Sequence, residues 1–303
     1  YDEGSVYSIP YIVVGLSVAF SFRTGVFNIG AEGQVLIGGL ATASVMILLG
    51  GKLPNWCVNL LMVAAAILAS SLWALIPAFF KAKWNTNETL FTLMMNYVAT
   101  QLAAFFIIIW ENPKGSGKMG IINQSSQAGW LPVLFEKKQL LPIVVVAVVT
   151  VFVYIYLRYT KHGYELTVVG ESERTARYVG IKVEKVILRT MLLSGAICGI
   201  VGLLLVGSIN HTLSENIVGG QGFTAVMVSW LAKFNPIGMI FSSFLLVFMG
   251  KGASEIATQF MLNESFSDIL TGIILFFIIG CEFFINYKLS FKKSVRKEEK
   301  DHV

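Results

Sequence analysis

Long apolar stretches dominate this sequence, and they restrict its fold more than any other feature. A helix that spans a bilayer needs about 20 predominantly apolar residues. The candidate spans are residues 5–22, 35–50, 56–80, 88–110, 140–157, 187–209, 222–232 with 236–250, and 266–287. The seventh is interrupted at 233–236, and such breaks are typical of discontinuous helices along a transport path. We therefore predict an all-α, polytopic membrane helical bundle with about eight to nine membrane segments, some of them discontinuous.

The composition agrees with a lipid-exposed surface and excludes several other classes of protein. Hydrophobic residues make up 55% of the 303 residues and charged residues only 14%, whereas soluble domains carry about 25% charged residues. The net charge of +5 is spread over loops and the C-terminal tail, so we expect no nucleic-acid partner. The three cysteines are far apart and the three histidines are isolated. We therefore predict no catalytic residue, no metal site and no disulfide framework.

The basic residues also indicate an orientation. If the C-terminal tail is cytoplasmic and the spans alternate, 17 of the 23 Lys and Arg residues lie inside and six outside, as the positive-inside rule favours. We predict a multi-pass cell-membrane protein with a transmembrane domain over 1–287, an inner loop over 158–186 and a cytoplasmic tail over 288–303. The chain begins at Tyr1 without Met or a basic region, so we expect no cleavable signal peptide and a natural N-terminus further upstream. The outer loop, about 111–139, is either a docking surface for an external partner or a solvated connector.

The first polar motif is the segment 27–34, Phe-Asn-Ile-Gly-Ala-Glu-Gly-Gln, between two apolar stretches. Its glycines permit a helix break, and a carboxylate at membrane depth costs at least about 2.5–3.5 kcal/mol unless it is paired or faces water. One interpretation is that Asn28, Glu32 and Gln34 line a polar path and hydrogen-bond a hydroxylated solute. The alternative is a loop at the cytoplasmic interface, with Glu32 in water or paired with Arg23. The order of the spans places this loop near the inner end of the bundle.

A second motif lies at the start of the fourth apolar stretch. Glu88, Thr92 and Asn96 are four residues apart, which puts them on one helical face. Thr92 and Asn96 then form either a stripe that faces a solute path or a set of hydrogen bonds between helices, which is common for these residue types in membranes. Glu88 itself fits the first turn of a helix, where the macrodipole favours a negative charge.

The inner loop contains the pattern of a short charged helix. Ser172 is a suitable N-cap and Gly180 a suitable residue just past the C-terminus, so we predict a helix over 173–179. A helix of this kind is either an amphipathic helix at the membrane interface or a rigid element that a motor subunit grips.

A fourth motif, Gly-Gly-Gln-Gly-Phe at 219–223, opens the broken seventh stretch. It is typical either of a Gly-rich entry to a re-entrant helix, whose free N–H groups and Gln221 face solute, or of an external turn. The sequence contains no GxxxxGK[ST], no HExxH and no GxSxG motif. We therefore predict that the chain is not an enzyme and does not itself hydrolyse ATP.

Taken in order, these motifs resemble those of the permeases of bacterial ABC importers. The resemblance rests on residues 27–34, 87–88, 95–97, 163–166, 176–181, and 222–223 before Asn235-Pro236. The branch concerned groups ribose and other simple-sugar permeases with branched-chain amino-acid permeases, and the first motif with Asn87-Glu88 looks most like the nucleoside-uptake permeases. The ordered set is specific and extends over about residues 5–285, whereas each piece alone is weak.

The resemblance implies a nucleoside permease subunit with no cofactor of its own, since ATP and Mg would bind to a partner. The implied partners are a cytoplasmic ABC ATPase on the inner loop, a second related permease, an external lipid-anchored solute-binding protein of the basic membrane lipoprotein type, and the lipid bilayer. The implied substrate-path residues are Asn28, Glu32, Gln34, Thr92, Asn96, Gln221 and Phe223. The implied ATPase-coupling residues are Gly170, Glu171, Arg174, Ala176, Arg177, Tyr178 and Gly180.

Two departures from the family pattern stand out. The general coupling signature, Glu-Ala-Ala and then Gly, is only partial here, because Arg-Thr-Ala at 174–176 precedes Gly180. Members also usually carry an additional N-terminal span, which we therefore expect ahead of Tyr1.

The implied mechanism is alternating access, in which motion of the ATPase passes through 171–180 to the helix break at 28–34. Two alternatives stay open: a simple-sugar permease of the ribose type, and an ion-coupled secondary transporter with Glu32 as its ion site. A purely structural membrane protein fits poorly with the Gly-broken helices.

Overall fold

The structure, a computed structural model, describes residues 3–132, 140–263 and several positions between 265 and 281, without the side chains of 3–11 and Phe20. Its helices are α1 (Glu3–Arg23), α2 (Ala31–Leu49), α3 (Asn55–Trp84), α4 (Glu88–Ile109), α5 (Leu140–Tyr159), α6 (Lys161–Glu171), α7 (Glu173–Tyr178), α8 (Val183–Leu204), α9 (Gln221–Leu231) and α10 (Pro236–Gln259). Helix α8 continues as a π-helical turn, Leu205–Asn210. The described residues contain no β-strand, which confirms the all-α prediction.

Six helices within the described residues are long and apolar enough to cross a membrane. They are α2, α3, α4, α5, α8 with its π-helical turn, and α10. The predicted count of eight to nine segments is not confirmed, because α9 has only 11 residues and part of 266–287 lies outside the description. The predicted interruption is present: Lys233 and Phe234 have positive φ angles of 49° and 57°, and Pro236 opens α10, a position that suits its fixed φ.

Helix α8 forms the centre of the packing, with α1, α2 and α3 around it. Small residues along α8 allow the main chains to approach closely, as is usual for helices in membranes. A Cβ added to Gly199 would lie 2.5 Å from the carbonyl oxygen of Ala66, and one added to Gly195 would lie 2.7 Å from that of Ser70. Helices α3 and α8 can therefore pack this closely only with glycine at these positions.

Helix α2 begins deep inside the bundle. Its Gln34 carbonyl accepts a hydrogen bond of 2.7 Å from the hydroxyl of Ser70, the middle residue of the 30-residue helix α3. Segment 27–34 is therefore packed among α3, α4 and α8, and its predicted place near the inner end of the bundle stays a prediction. After α1 ends at Arg23, residues 24–30 turn back between the helices, and this turn brings Asn28 to within 3.2 Å of Ser194 in α8.

The short helix of the inner loop agrees closely with its prediction. Helix α7 covers Glu173–Tyr178, the Ser172 hydroxyl accepts a hydrogen bond of 3.2 Å from the Thr175 N–H, and Gly180 has a φ of 85°. Positive φ is the backbone conformation that favours glycine after a helix C-terminus. A further helix, α6, occupies the first part of this loop.

The chain divides into two compact units, residues 1–247 and 248–303. The first unit contains α1–α9 and the beginning of α10, and it carries nearly all the residues discussed below. The second contains the end of α10 and the described positions that follow it. The predicted tail, 288–303, lies outside the described residues, so the boundary at 287 stays a prediction.

Candidate functional site

The first turns of α2 and α9 meet at Glu32. Its two carboxylate oxygens accept hydrogen bonds from the backbone N–H groups of Gly220, at 2.9 Å, and Gly222, at 2.7 Å. The backbone N–H groups of the first helical turn have no acceptor within their own helix. The Glu32 carboxylate provides acceptors for two such groups at the start of α9. A Cβ on Gly222 would lie 2.6 Å from the Glu32 backbone nitrogen, which leaves room only for glycine. We call Glu32 with these two glycines the Glu32 junction.

The Asn28 side chain lies at the N-terminus of α2. Its Oδ1 accepts a hydrogen bond of 2.9 Å from the Gly30 N–H and one of 3.3 Å from the Gln34 amide. Its Nδ2 donates to the Ser194 hydroxyl in α8, which lies 2.8 Å from the hydroxyl of Ser17 in α1. Asn28 and Gln34 are fully buried, so this network holds α1, α2 and α8 together where α2 begins.

Helix α4 contributes Thr92 and Asn96 to the same region. The Thr92 hydroxyl accepts from the Ile29 N–H at 3.2 Å, and the Asn96 side chain accepts from the Gly33 N–H at 2.9 Å and donates to the Ile29 carbonyl at 3.0 Å. Both side chains are buried. This geometry supports the interpretation as hydrogen bonds between helices, and each bond satisfies a backbone group at the start of α2.

Glu88, on the same face of α4, forms an ion pair as well as occupying a first turn. Its carboxylate lies 3.0 Å from the ammonium of Lys81 at the inner end of α3. The ion pair with Lys81 adds to the role predicted for Glu88 in the first turn of α4.

The two predicted path residues of α9 differ in exposure. Gln221 is the first residue of the helix, and its Oε1 is buried with no hydrogen-bond partner within the described part of the chain. Phe223 is 42% exposed. Both lie beside the Glu32 junction in sequence and in space, because the Gly222 between them is in contact with Glu32.

The structure thus gathers the predicted substrate-path residues around one place, the first turn of α2. Their role in transport stays a prediction, since most of them are buried and already form hydrogen bonds with backbone groups of the protein. Sequence reasoning missed Ser17, Ser70 and Ser194, which lie in apolar stretches where serine is unremarkable. No group of three or more His, Cys, Asp or Glu side chains within the described residues could hold a metal ion.

The predicted ATPase-coupling residues lie together in the predicted inner loop, within the first unit. Only Ala176 of α7 is buried, whereas Arg174 and Tyr178 are exposed, Tyr178 to 92%. Arg177 pairs with Glu184 of α8 at 2.9 Å. A polar cleft of about 320 Å³ separates α7 from the inner end of α3; its charged lining residues are Lys81, Lys83, Glu173, Arg177 and Glu184. Helix α7 therefore presents an exposed, mixed-charge surface.

Gly170, near the end of α6, connects this inner surface to α1. A Cβ at Gly170 would collide with the Arg23 carbonyl oxygen, and the Cα of Gly170 is within 3.7 Å of a Cβ built on Gly25. Gly170 is followed by Glu171, the exposed last residue of α6. The inner loop is consequently in direct contact with the turn that leads into Asn28.

A charged cluster fixes α6 against α8. The Arg189 guanidinium lies 3.0 Å from Glu165 and is hydrogen-bonded to His162. Partial burial by itself raises the pKa of Glu165, but the hydrogen bond and charge of Arg189 outweigh it, so this pKa is lower than usual. Glu165 is therefore ionised at neutral pH and holds Arg189.

In the outer loop, Glu111 binds two glycine N–H groups, as Glu32 does at the start of α9. Its carboxylate accepts hydrogen bonds from the N–H groups of Gly115, at 2.6 Å, and Gly117, at 3.0 Å. These bonds lower its pKa below the usual range.

A ring stack joins the outer loop to the segment after α8. The Trp130 and His211 rings lie at a centroid distance of 3.8 Å.

Comparison with known proteins identifies relatives over most of the chain. The family described as "Branched-chain amino acid transport system / permease component" matches residues 1–279. The guanosine ABC transporter permease protein NupP of Bacillus subtilis (strain 168) is 31% identical over 273 residues, covering 89% of this chain and 78% of NupP. The glucose ABC transporter permease protein TsgB13 of Haloferax volcanii is 30% identical over 301 residues, covering 95% and 78%.

A further relative and one solved structure agree with these matches. The nucleoside ABC transporter permease protein NupB of Lactococcus lactis subsp. cremoris is 25% identical and covers 96% of this chain. PsaBC from Streptococcus pneumoniae in complex with Fab has a similar fold, with a TM-score of 0.54 and 17% identity over 94% of this chain and 90% of that one.

Family membership settles several predictions. Permease components are membrane subunits and not enzymes, and the apolar helices fit a multi-pass location in the cell membrane. The match extends over nearly the same residues as the resemblance drawn from the motifs. The chain therefore belongs to the family of branched-chain amino acid transport system permease components.

Proposed function

We propose that this chain is the permease subunit of an ATP-driven importer for nucleosides. The observation that carries the proposal is its 31% identity to the guanosine permease NupP over 89% of the chain, with the nucleoside permease NupB as a further relative. The proposed assembly contains a cytoplasmic ABC ATPase, a second related permease and an external lipoprotein that delivers the solute. ATP and Mg would bind to the ATPase.

The contacts support a route from the ATPase to the solute path. A push on the exposed face of α7 would reach α6, and Gly170 of α6 packs against Arg23 at the end of α1. The turn that follows Arg23 carries Asn28, which accepts a hydrogen bond from the N–H of Gly30 directly before α2. Movement of the inner loop would therefore shift the start of α2 relative to α9 and open or close the Glu32 junction.

The chemistry of this region suits an uncharged, hydroxylated solute. Amide, hydroxyl and backbone groups dominate it, and the carboxylate of Glu32 is already held by two N–H groups. A path of weak hydrogen-bonding groups lets a solute enter and leave, whereas tight selection would lie in the external binding protein. The aromatic ring of Phe223, 42% exposed, offers a surface for a nucleobase.

A second candidate is a simple-sugar importer. The glucose permease TsgB13, at 30% identity over 301 residues, is almost as similar to this chain as NupP is. Sugars and nucleosides share ribose-like hydroxyl groups, so the permease path alone does not separate the two. We prefer nucleosides as the solute because the names of NupP and NupB give guanosine and nucleosides.

Uptake measurements distinguish these candidates. In cells that carry the complete transporter, deletion of this gene is expected to reduce uptake of radiolabelled guanosine at least tenfold. Excess unlabelled guanosine should compete, excess glucose or ribose should not, and ATP depletion should abolish uptake. Competition by glucose or ribose as strong as that by guanosine would move the assignment to sugars. Uptake that survives ATP depletion and follows a proton or sodium gradient would overturn both.

The coupling role of α7 has its own test. The substitution Arg174→Glu reverses an exposed charge on α7, and we expect it to lower ATP-dependent uptake at least fivefold and to reduce co-purification of the ATPase. Arg158→Glu provides the matched control, because Arg158 is an exposed arginine at the end of α5, outside α7. Equal effects of the two substitutions, or none from Arg174→Glu, would remove α7 from the coupling interface.

A further inference from the structure

The segment between the π-helical turn and α9, residues 211–220, is neither helix nor strand. It begins at the outer loop. The His211 carbonyl accepts a hydrogen bond of 2.8 Å from the Ile122 N–H, and the Thr212 hydroxyl donates one of 2.7 Å to the Met119 carbonyl. With the ring stack on Trp130, these bonds fix its first residues at the outer face.

The same segment ends deep within the bundle. Gly220 is its last residue and donates its N–H to Glu32. Glu32 lies in the first turn of α2, and Leu49 at the outer end of that helix is about 25 Å away along the axis at a rise of 1.5 Å per residue. Residues 211–220 therefore lead from the outer face to the Glu32 junction without forming a helix.

The side chains of this segment divide into two groups. Leu213 and Val218 are buried to 1% exposure, and Leu213 packs against Gly39 of α2. Ser214, Glu215 and Asn216 point away from the core and are exposed. They border a cavity of about 440 Å³ that opens between this segment and the outer loop, where Lys118 and Met119 form the facing wall.

Lipid is a poor environment for such a segment. Irregular backbone at membrane depth occurs only where protein covers it or where it lines a water-filled cavity. A carboxylate such as that of Glu215 costs several kcal/mol in hydrocarbon, and hydroxyl and amide side chains need hydrogen-bond partners. The cavity beside Ser214, Glu215 and Asn216 has room for water, which would supply these partners. The chain that borders it continues to Gly220 at the Glu32 junction.

We infer that Ser214, Glu215 and Asn216 form a solute-binding vestibule, the outer arm of the path that ends at the Glu32 junction. Hydroxyl, carboxylate and amide oxygens in this arrangement accept hydrogen bonds from a hydroxylated solute, and the amide also donates. The inference rests on the proposed function, because it assumes that a polar solute crosses this chain. It adds a binding site that sequence patterns did not indicate.

Cysteine accessibility in the complete transporter tests this site. Cys57 and Cys281 are first replaced by serine, whereas the buried Cys198 is kept. Asn216→Cys is then treated in intact cells with a charged, membrane-impermeant methanethiosulfonate. We expect rapid labelling, a loss of at least 80% of uptake after labelling, and labelling at least fivefold slower in excess guanosine.

Two control variants are labelled in the same way as Asn216→Cys. Ser125→Cys, on an exposed part of the outer loop away from this cavity, should label without loss of uptake, whereas Phe105→Cys, on a 60% exposed apolar position of α4, should not label. An Asn216→Cys protein that behaves like either of them contradicts the vestibule. If guanosine is not transported at all, the proposed function fails separately, and the vestibule is then judged by labelling and by block and protection with glucose as the solute.

Discussion

Replacing Glu32 with glutamine is expected to lower solute uptake at least tenfold and to leave the amount of assembled permease unchanged. Glutamine has the same size, but it has one acceptor oxygen in place of two, and its NH₂ group would face an N–H of α9. The Glu32 carboxyl group accepts the Gly220 and Gly222 bonds, and a hydrogen bond within a protein typically contributes about 0.5–1.5 kcal/mol. The start of α9 would keep at most one of its two hydrogen bonds to the residue 32 side chain.

Glu111→Gln is the control for this substitution. Glu111 also accepts two N–H bonds from glycines, but in the exposed outer loop. The same change of chemistry there should leave uptake within about twofold of the wild type. Initial rates of uptake are measured for both variants at equal amounts of permease in the membrane. Normal transport by Glu32→Gln would show that the Glu32 junction is dispensable.

The substitution Gly199→Leu is expected to prevent stable folding. A Cβ at Gly199 already lies 2.5 Å from the Ala66 carbonyl oxygen, and a leucine extends three carbons further. Overpacking of a helix interface typically costs about 1–3 kcal/mol, and here the obstacle is main chain that cannot rotate away. We expect at least a tenfold loss of monodisperse protein after detergent extraction, measured by fluorescence-detected size-exclusion chromatography.

Gly250→Leu is the control, because it measures the effect of replacing a helical glycine with leucine where no collision results. Gly250 lies within α10, and no described atom is within 4 Å of a Cβ built there. The same residue types are exchanged in the same kind of helix, but without the collision. Similar yields from the two variants would mean that α3 and α8 do not pack as closely as the structure indicates.

Local features were predictable from the sequence because their signals lie within a few residues. The cap of α7 is one case: Ser172 bonds to Thr175, three residues away, and Gly180 ends the helix. The break before Pro236 is another. In both, the side chain or backbone preference of one residue determines the structure of its neighbours.

The Glu32 junction could not be predicted in the same way. Its partners are 188 and 190 residues away, and they contribute backbone N–H groups, which every residue except proline possesses. The sequence showed a carboxylate and a glycine-rich turn as two separate motifs. Only the packing of α2 against α9 shows that each satisfies the other.

The contacts of the turn before α2 were missed for a related reason. Counting spans gives the order of the apolar stretches but not the packing of the residues that connect them. Residues 24–30 turn back between the helices and meet Ser194 through Asn28. No pattern in the segment itself distinguishes such a return from a loop at the surface.

The convergence of two helix starts also sets the electrostatic balance of the Glu32 junction. Each N-terminus carries about half a positive charge from its aligned peptide dipoles, so those of α2 and α9 together contribute about one unit. Glu32 lies in the first turn of one helix and binds the first turn of the other, and it brings one negative charge when it is ionised. With Glu32 ionised, the closed junction is close to neutral. On the proposed path, a neutral solute would pass this point without a counter-ion, and neither a cation nor a proton would find a net negative charge to attract it.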